Sequence, residues 1–174
     1  MRNAKKRKIF LKPGEVAFGE PGTHIHTILG SCVSITLWHP HLSIGAMCHF
    51  VLPTRPKGEK NICNVLDGRY GDEAIELFEI GAKLHRTSLC EYQVKIFGGA
   101  DVFGVGCNSE DMLTGERNVS QAASLLARKK IDIDVAHVGE NGNRRIILDI
   151  DDGCVWVKHT SNQGKKLSST SGVV

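Results

Sequence analysis

Asp72-Glu73-Ala74-Ile75-Glu76-Leu77-Phe78-Glu79-Ile80-Gly81-Ala82-Lys83-Leu84-His85-Arg86 is where the chain changes its period. Ala74, Leu77, Phe78, Gly81 and Leu84 form one apolar stripe, with Glu73, Glu76, Glu79 and Lys83 outside it, which predicts an amphipathic helix over Asp72 to Arg86. On its N-terminal side the pattern is that of strands: Glu15 to Phe18, His24 to Leu29, Cys32 to Trp38 and Gly45 to Val51, divided by the Gly19-Glu20-Pro21-Gly22 turn, a Gly30-Ser31 break and Pro40. Leu52 to Asn61, with Pro53, Pro56 and Gly58, reads as a surface loop.

Beyond the helix, Tyr92 to Phe97 is a strand with a Gly98-Gly99 stop. Val119, Ala122, Ala123 and Leu126 then recur at helical spacing, predicting a second helix over Asn118 to Lys130, with Asn118 as N-cap and Arg128, Lys129 and Lys130 at the end that favours cations. Three strands close the chain: Ile131 to Val138, Arg144 to Ile150 and Cys154 to His159, separated by Glu140-Asn141-Gly142 and Asp151-Asp152-Gly153 turns. Strands in two batches with two main helices predict an α+β or layered α/β sandwich with mixed sheets, not a doubly wound one. Residues 1–11 form a basic arm, residues 12–159 the domain, and the Ser- and Gly-rich 160–174 a flexible tail.

Composition narrows the function classes. At 174 residues the chain suits one core, and 41% hydrophobic with 24% charged residues is ordinary for a globular protein. The net charge of +3 is mild, with Lys5, Lys6, Arg7 and Lys8 crowded into the arm and no aromatics between them, so no nucleic-acid surface is expected. No apolar run approaches the roughly 18 residues of a membrane span, and Ile9-Phe10-Leu11 is too short for a secretory leader, so a cytoplasmic protein is expected. Six cysteines lie scattered without a C-x-x-C pair, which argues against disulfides and redox exchange.

Cys32 closes a Leu29-Gly30-Ser31 turn after a strand, and His49 arrives in the next apolar run but one. A thiol on a tight glycine turn with an imidazole as base is a nucleophile pattern, and backbone N–H groups at such a turn can hold an oxyanion. The competing reading is two packed residues in apolar runs. Alternation along a strand points Cys48 and His49 to opposite faces, so Cys48 is the poorer candidate thiol.

Thr27-Ile28-Leu29-Gly30-Ser31-Cys32-Val33 followed by Gly45-Ala46-Met47-Cys48-His49-Phe50-Val51-Leu52-Pro53 resembles the paired signature of the CheD family, the chemoreceptor glutamine deamidases of bacterial chemotaxis. The similarity continues through Lys95-Ile96-Phe97-Gly98-Gly99-Ala100, Gly115-Glu116-Arg117-Asn118-Val119 and the stretch from Gly139 to Arg145, in order. The resemblance implies a compact α/β sandwich, Cys32 as nucleophile, His49 as the catalytic histidine and a threonine as third member. Thr27 is the nearest threonine and Thr23 the fallback, while counting from the longer spacing of some relatives lands on His26. It further implies deamidation of glutamines in chemoreceptor cytoplasmic helical bundles without metal or cofactor, hydrolysis of glutamyl methyl esters at the same site, and a CheC-like phosphatase as partner. The alternative is a non-enzymatic adaptor binding receptors or that phosphatase.

Other patterns carry weaker readings. His24-x-His26 and His39-Pro40-His41, with Cys48 or His49, sketch a zinc site, although none is expected. Gly98-Gly99-Ala100-Asp101 and Gly104-Val105-Gly106 resemble a phosphate cradle but lack a Walker pattern. Gly98 and Gly99 either shape the substrate approach or press against a neighbouring backbone, and Arg117 and Asn118 either cap the helix or meet a partner.

Overall fold

The computed structural model describes residues 6–59, 65–100, 110–161 and 168–174. Its strands are β1 (Arg7–Phe10), β2 (Val16–Gly19), β3 (Thr23–Leu29), β4 (Val33–His39), β5 (Ile44–Cys48), β6 (Gln93–Gly98), β7 (Val135–Val138), β8 (Asn143–Asp149), β9 (Val155–Ser161) and β10 (Ser168–Val173). The helices are α1 (Gly71–Leu84) and α2 (Glu110–Arg128), with a short 3-10 turn at Leu89–Glu91. Two five-stranded sheets result, one ordered β1-β3-β8-β9-β10 and the other β2-β5-β4-β6-β7. Each is antiparallel except at one parallel pair, β1 with β3 and β6 with β7. The expected mixed-sheet α/β sandwich is therefore the fold.

Three layers follow from which faces are apolar. The second sheet is the middle layer, buried on both faces: Val33, Ile35, Leu37, Ala46, Cys48 and Phe50 pack against the apolar stripes of α1 and α2. Its opposite face, with Met47 and Phe97, meets Ile25, Leu29, Ile146, Leu148 and Val157 of the first, outer sheet. Strands such as β5 therefore read as unbroken apolar runs, as expected of strands buried on both sides, whereas β3 and β8 alternate. The site-bearing turn, Gly30-Ser31-Cys32, is where the chain crosses from the outer sheet to the middle one.

The structure departs from the expected elements in three places. Helix α2 begins at Glu110, so Asn118 lies well inside it and is not its N-cap. Arg7–Phe10, expected in the arm, is a strand because its alternation lets Ile9 reach the inter-sheet core. Ser168–Val173, expected in the tail, pairs along β9 at the sheet's edge; its Ser- and Gly-rich composition hid a strand whose partner lies across a turn. Cys63, Cys107, Lys5, Asp101 and Gly104-Val105-Gly106 lie outside the described residues.

Candidate active site

Strand alternation excludes His26 as the partner of His49, and position along the strand separates the two threonines. Along β3 the side chains of Thr23, Ile25, Thr27 and Leu29 turn inward and are buried, while His24, His26 and Ile28 face outward. Thr27 Oγ1 lies 2.7 Å from Nδ1 of His49. Thr23 sits at the far end of the strand, its carbonyl taken by the Ile150 N–H, and His26 stacks on Phe10 at the outer surface. Thr27 is the threonine brought to the histidine; Thr23 and His26 are not.

That contact fixes the histidine tautomer. The Thr27 hydroxyl has one proton, which it donates to the Leu11 carbonyl at 3.0 Å. Towards His49 it can then only accept, so Nδ1 carries the ring proton and Nε2 keeps a free lone pair. Nε2 is buried, with no hydrogen-bond partner among the described residues. The main chain of His49 is held as firmly: its N–H donates to the Glu15 carbonyl and its carbonyl accepts from Gly14, prolonging the pairing of β2 with β5. Burial pushes the imidazole down to about 4, against a smaller upward pull from the Glu15 carboxylate, so at neutral pH the ring is an uncharged base.

Cys32 stands across the same layer. Val33 and Phe50 exchange two backbone hydrogen bonds, placing Cys32 and His49 one residue to either side of a bridged pair. Val33 and Phe50 face the helices, while Cys32 packs on the inter-sheet core that His49 also faces. No hydrogen bond joins thiol and imidazole among the described residues. Burial pushes the Cys32 thiol up, its own backbone amide only partly opposing this, so both thiol and imidazole are neutral at rest. Cys48 is on the other face, fully buried, with its thiol pushed up to about 12 and accepting the Ile35 N–H at 3.4 Å. Cys90 is exposed and Cys154 half-buried, both free.

The turn that carries Cys32 is built by residues far away in sequence. Gly99 donates to the Cys32 carbonyl at 2.8 Å and Ala100 to the Gly30 carbonyl at 2.9 Å. Gly98 and Gly99 both have positive φ; a side chain on Gly98 would run into the Cys32 carbonyl, and one on Gly99 into Val119 and Gly115 of α2. The Cys32 carbonyl thus leaves no room for a side chain at Gly98, nor Val119 and Gly115 for one at Gly99. Asn118, fully buried, donates from Nδ2 to the Ser31 carbonyl at 3.2 Å and to the Val51 carbonyl at 2.8 Å. One amide thereby ties the Cys32 turn to the segment leaving His49. Sequence reading missed this role, although Asn118 stands in line with Ala122 and Leu126 on the buried stripe of α2, where a polar residue must have partners.

A cleft of about 440 Å³ opens over Thr27 and His49, with Leu11, Pro13, Ile28 and Arg145 among its walls; Cys32 is not in its lining. The sketched zinc ligands do not converge. His24 and His26 are on the outer face, and His39 is at the far end of β4, where its Nδ1 accepts from the His41 and Leu42 amides. No group of three metal-ligating side chains forms among the described residues.

A family model described as CheD chemotactic sensory transduction matches residues 51–159, which take in both helices and the Gly98, Gly99 and Asn118 supports. The chain belongs to the CheD family. A probable chemoreceptor glutamine deamidase CheD from Pseudomonas syringae pv. tomato is 44% identical over 153 residues, covering 87% of this chain and 89% of that one. A probable chemoreceptor glutamine deamidase CheD 3 from Dechloromonas aromatica is 42% identical over 165 residues, 95% of each. A more distant CheD relative, from Leptospira interrogans, is 34% identical over 157 residues, 86% of this chain and 91% of its own length. No helix among the described residues is long and apolar enough to cross a membrane.

Proposed function

We propose that this CheD-family chain is a cysteine-dependent glutamine deamidase acting on chemoreceptors, with Cys32, His49 and Thr27 as its catalytic residues and residues 12–159 as its catalytic domain. The observation that carries the reading is the Leu11–Thr27–His49 relay, which leaves Nε2 of a buried, uncharged imidazole as the free base. Family membership and the names of the relatives support the substrate.

The reaction begins with the carboxamide of a substrate glutamine above Cys32. As Sγ attacks the amide carbon, the thiol proton passes to Nε2 of His49, and the new C–S bond forms while the carbonyl π pair moves onto oxygen. Because burial holds the thiol up and the imidazole down, the ion pair is costly at rest, and thiolate forms only with attack. The developing oxyanion is met by the backbone N–H groups of Ser31 and Cys32; the Cys32 amide already lies against its own sulfur. The imidazolium, steadied by Nδ1–H donation to Thr27, returns the proton to the departing nitrogen, and ammonia leaves. Water, deprotonated by His49, then attacks the thioester to release glutamate and restore the thiol. A glutamyl methyl ester would follow the same course with methanol as leaving group.

Mass spectrometry of a purified chemoreceptor cytoplasmic fragment incubated with the protein tests the proposal. Glutamines should gain about one mass unit, with a transient thioester on Cys32. Conversion that persists undiminished in Cys32→Ala protein would refute it.

A further inference from the structure

The two sheets are finished differently. The middle sheet is covered by α1 and α2, but nothing among the described residues covers the far face of the outer sheet. Register places Phe10, His26, Ile147, Trp156 and Val173 in one row across all five of its strands. Phe10 is 68% exposed, Val173 58% and Trp156 38%. A single exposed apolar residue needs no explanation, but a continuous row of this kind marks a binding surface.

The charges around the row are one-sided. Arg145 and Lys158 pair across β8 and β9 in the next row, beside the exposed Ile28, and Lys8 lies on the opposite flank. None of the three has an acidic partner among the described residues, whereas Lys6, Arg55, Arg69 and Lys129 are all in ion pairs. Among the described residues the carboxylates at the margin of this face are already engaged: Asp149, buried, by Lys6 and His24, and Asp151 by Lys6. The face also runs into the cleft at His49: Phe10, His26, Ile28 and Arg145 line the same cavity as Thr27 and His49.

We propose that the outer face of this sheet is the substrate-docking surface, and that it takes an amphipathic helix of the substrate protein whose apolar stripe is edged with carboxylates. The inference rests on the deamidase reading and adds how the substrate is held. An apolar stripe with charges alongside at helical spacing is what such a helix presents, and a sheet face is ordinarily covered by a helix. Five strands about 4.8 Å apart give a row of about 19 Å, the length of about 13 helical residues. A second copy of this chain fits poorly, because it would set Arg145, Lys158 and Lys8 against like charges. The opening at Ile28 and Arg145 lets a glutamine on the docked helix reach towards His49.

The test compares wild type with Lys158→Glu and Trp156→Ala, both exposed positions, as full-length proteins acting on a purified chemoreceptor cytoplasmic fragment. KM should rise about tenfold in Lys158→Glu and several-fold in Trp156→Ala, with kcat within a factor of two and the melting temperature unchanged. Added salt should raise KM of the wild type more steeply than that of Lys158→Glu. Calorimetric binding of the same fragment, at wild-type and Lys158→Glu protein, reads the face independently of turnover. A wild type that binds the fragment but converts nothing therefore overturns the deamidase reading alone. Equal affinity and equal KM in all three proteins overturn the docking surface. So does sedimentation of the wild type with phosphatidylglycerol vesicles that is lost in Lys158→Glu while KM is unmoved, because the face would then be a membrane contact.

Discussion

Cys48 and His49 are neighbours in sequence and belong to different worlds. Cys48 faces the helices, in a core of aliphatic and aromatic side chains where its thiol accepts the Ile35 N–H and is pushed up to about 12. His49 faces the outer sheet, where Thr27 orders its tautomer and a cleft reaches it. The middle sheet thus divides packing from the proposed chemistry: one face is closed by the helices, the other joins two sheets at a crossover turn and opens to a cleft. A residue's role here is set by the face it takes more than by its chemical type, since Cys32 and Cys48 carry the same thiol.

Substitutions should sort by that division. The largest effect is expected on the inter-sheet face: Cys32→Ala should bring glutamine conversion below detection, and His49→Gln should lower kcat by about 10²- to 10⁴-fold, as loss of a general acid–base does. Glutamine conversion by Cys48→Ala at a similarly reduced level would break the comparison. Next comes a pH effect on stability. His49 has a folded pKa of about 4, below the unfolded value near 6.5. The unfolded chain therefore takes up the proton first, and stability present above pH 6.5 is lost as the pH falls through 4. At about 1.4 kcal/mol per pKa unit the loss amounts to about 3 kcal/mol. Chemical denaturation at pH 7 and pH 4 should show that drop in wild type and a smaller one in His49→Gln, with the remainder coming from half-buried histidines such as His26 and His137, which partial burial also holds down.

Thr27→Val keeps the shape of the strand and removes the acceptor for Nδ1–H. It should lower kcat by about 10- to 100-fold, the size of a lost hydrogen bond to a charged partner of about 1.5–3 kcal/mol, while Thr27→Ser restores most of the rate. A Thr27→Val protein with unchanged kcat would show that the tautomer is set elsewhere. The smallest effect on activity is expected on the helix-facing side: Cys48→Ala should turn over within a factor of two of wild type and lose about 1 kcal/mol of stability in urea unfolding.

The chain itself displayed much of this. The change from strand to helix period at Asp72 located α1, which runs Gly71–Leu84, and the alternation of β3 and β8 marked them as strands with one buried face. Cys32 and His49 stood out because their residue types and the glycine turn suit a nucleophile and its base, and alternation alone separated His49 from Cys48. The start of α2 was misplaced because the residues before Asn118 continue the helix without a clear stripe, so the first polar residue before the apolar pattern looked like a cap. The strand at Ser168–Val173 was hidden by composition, since an edge strand's pairing depends on the neighbour it finds.

Local chemistry, read in order along the chain, determined the α/β class, the strand faces and the thiol and imidazole worth testing, because periodicity and residue type are properties of short stretches. Tertiary structure alone brought Thr27, the threonine the sequence already favoured, to His49 and left Thr23 and His26 away from it, handed Asn118 the task of joining Ser31 to Val51, and pressed Gly98 against the Cys32 turn. Each of those contacts spans residues from different elements, and such pairings exist only once two sheets and a helix have closed on one another.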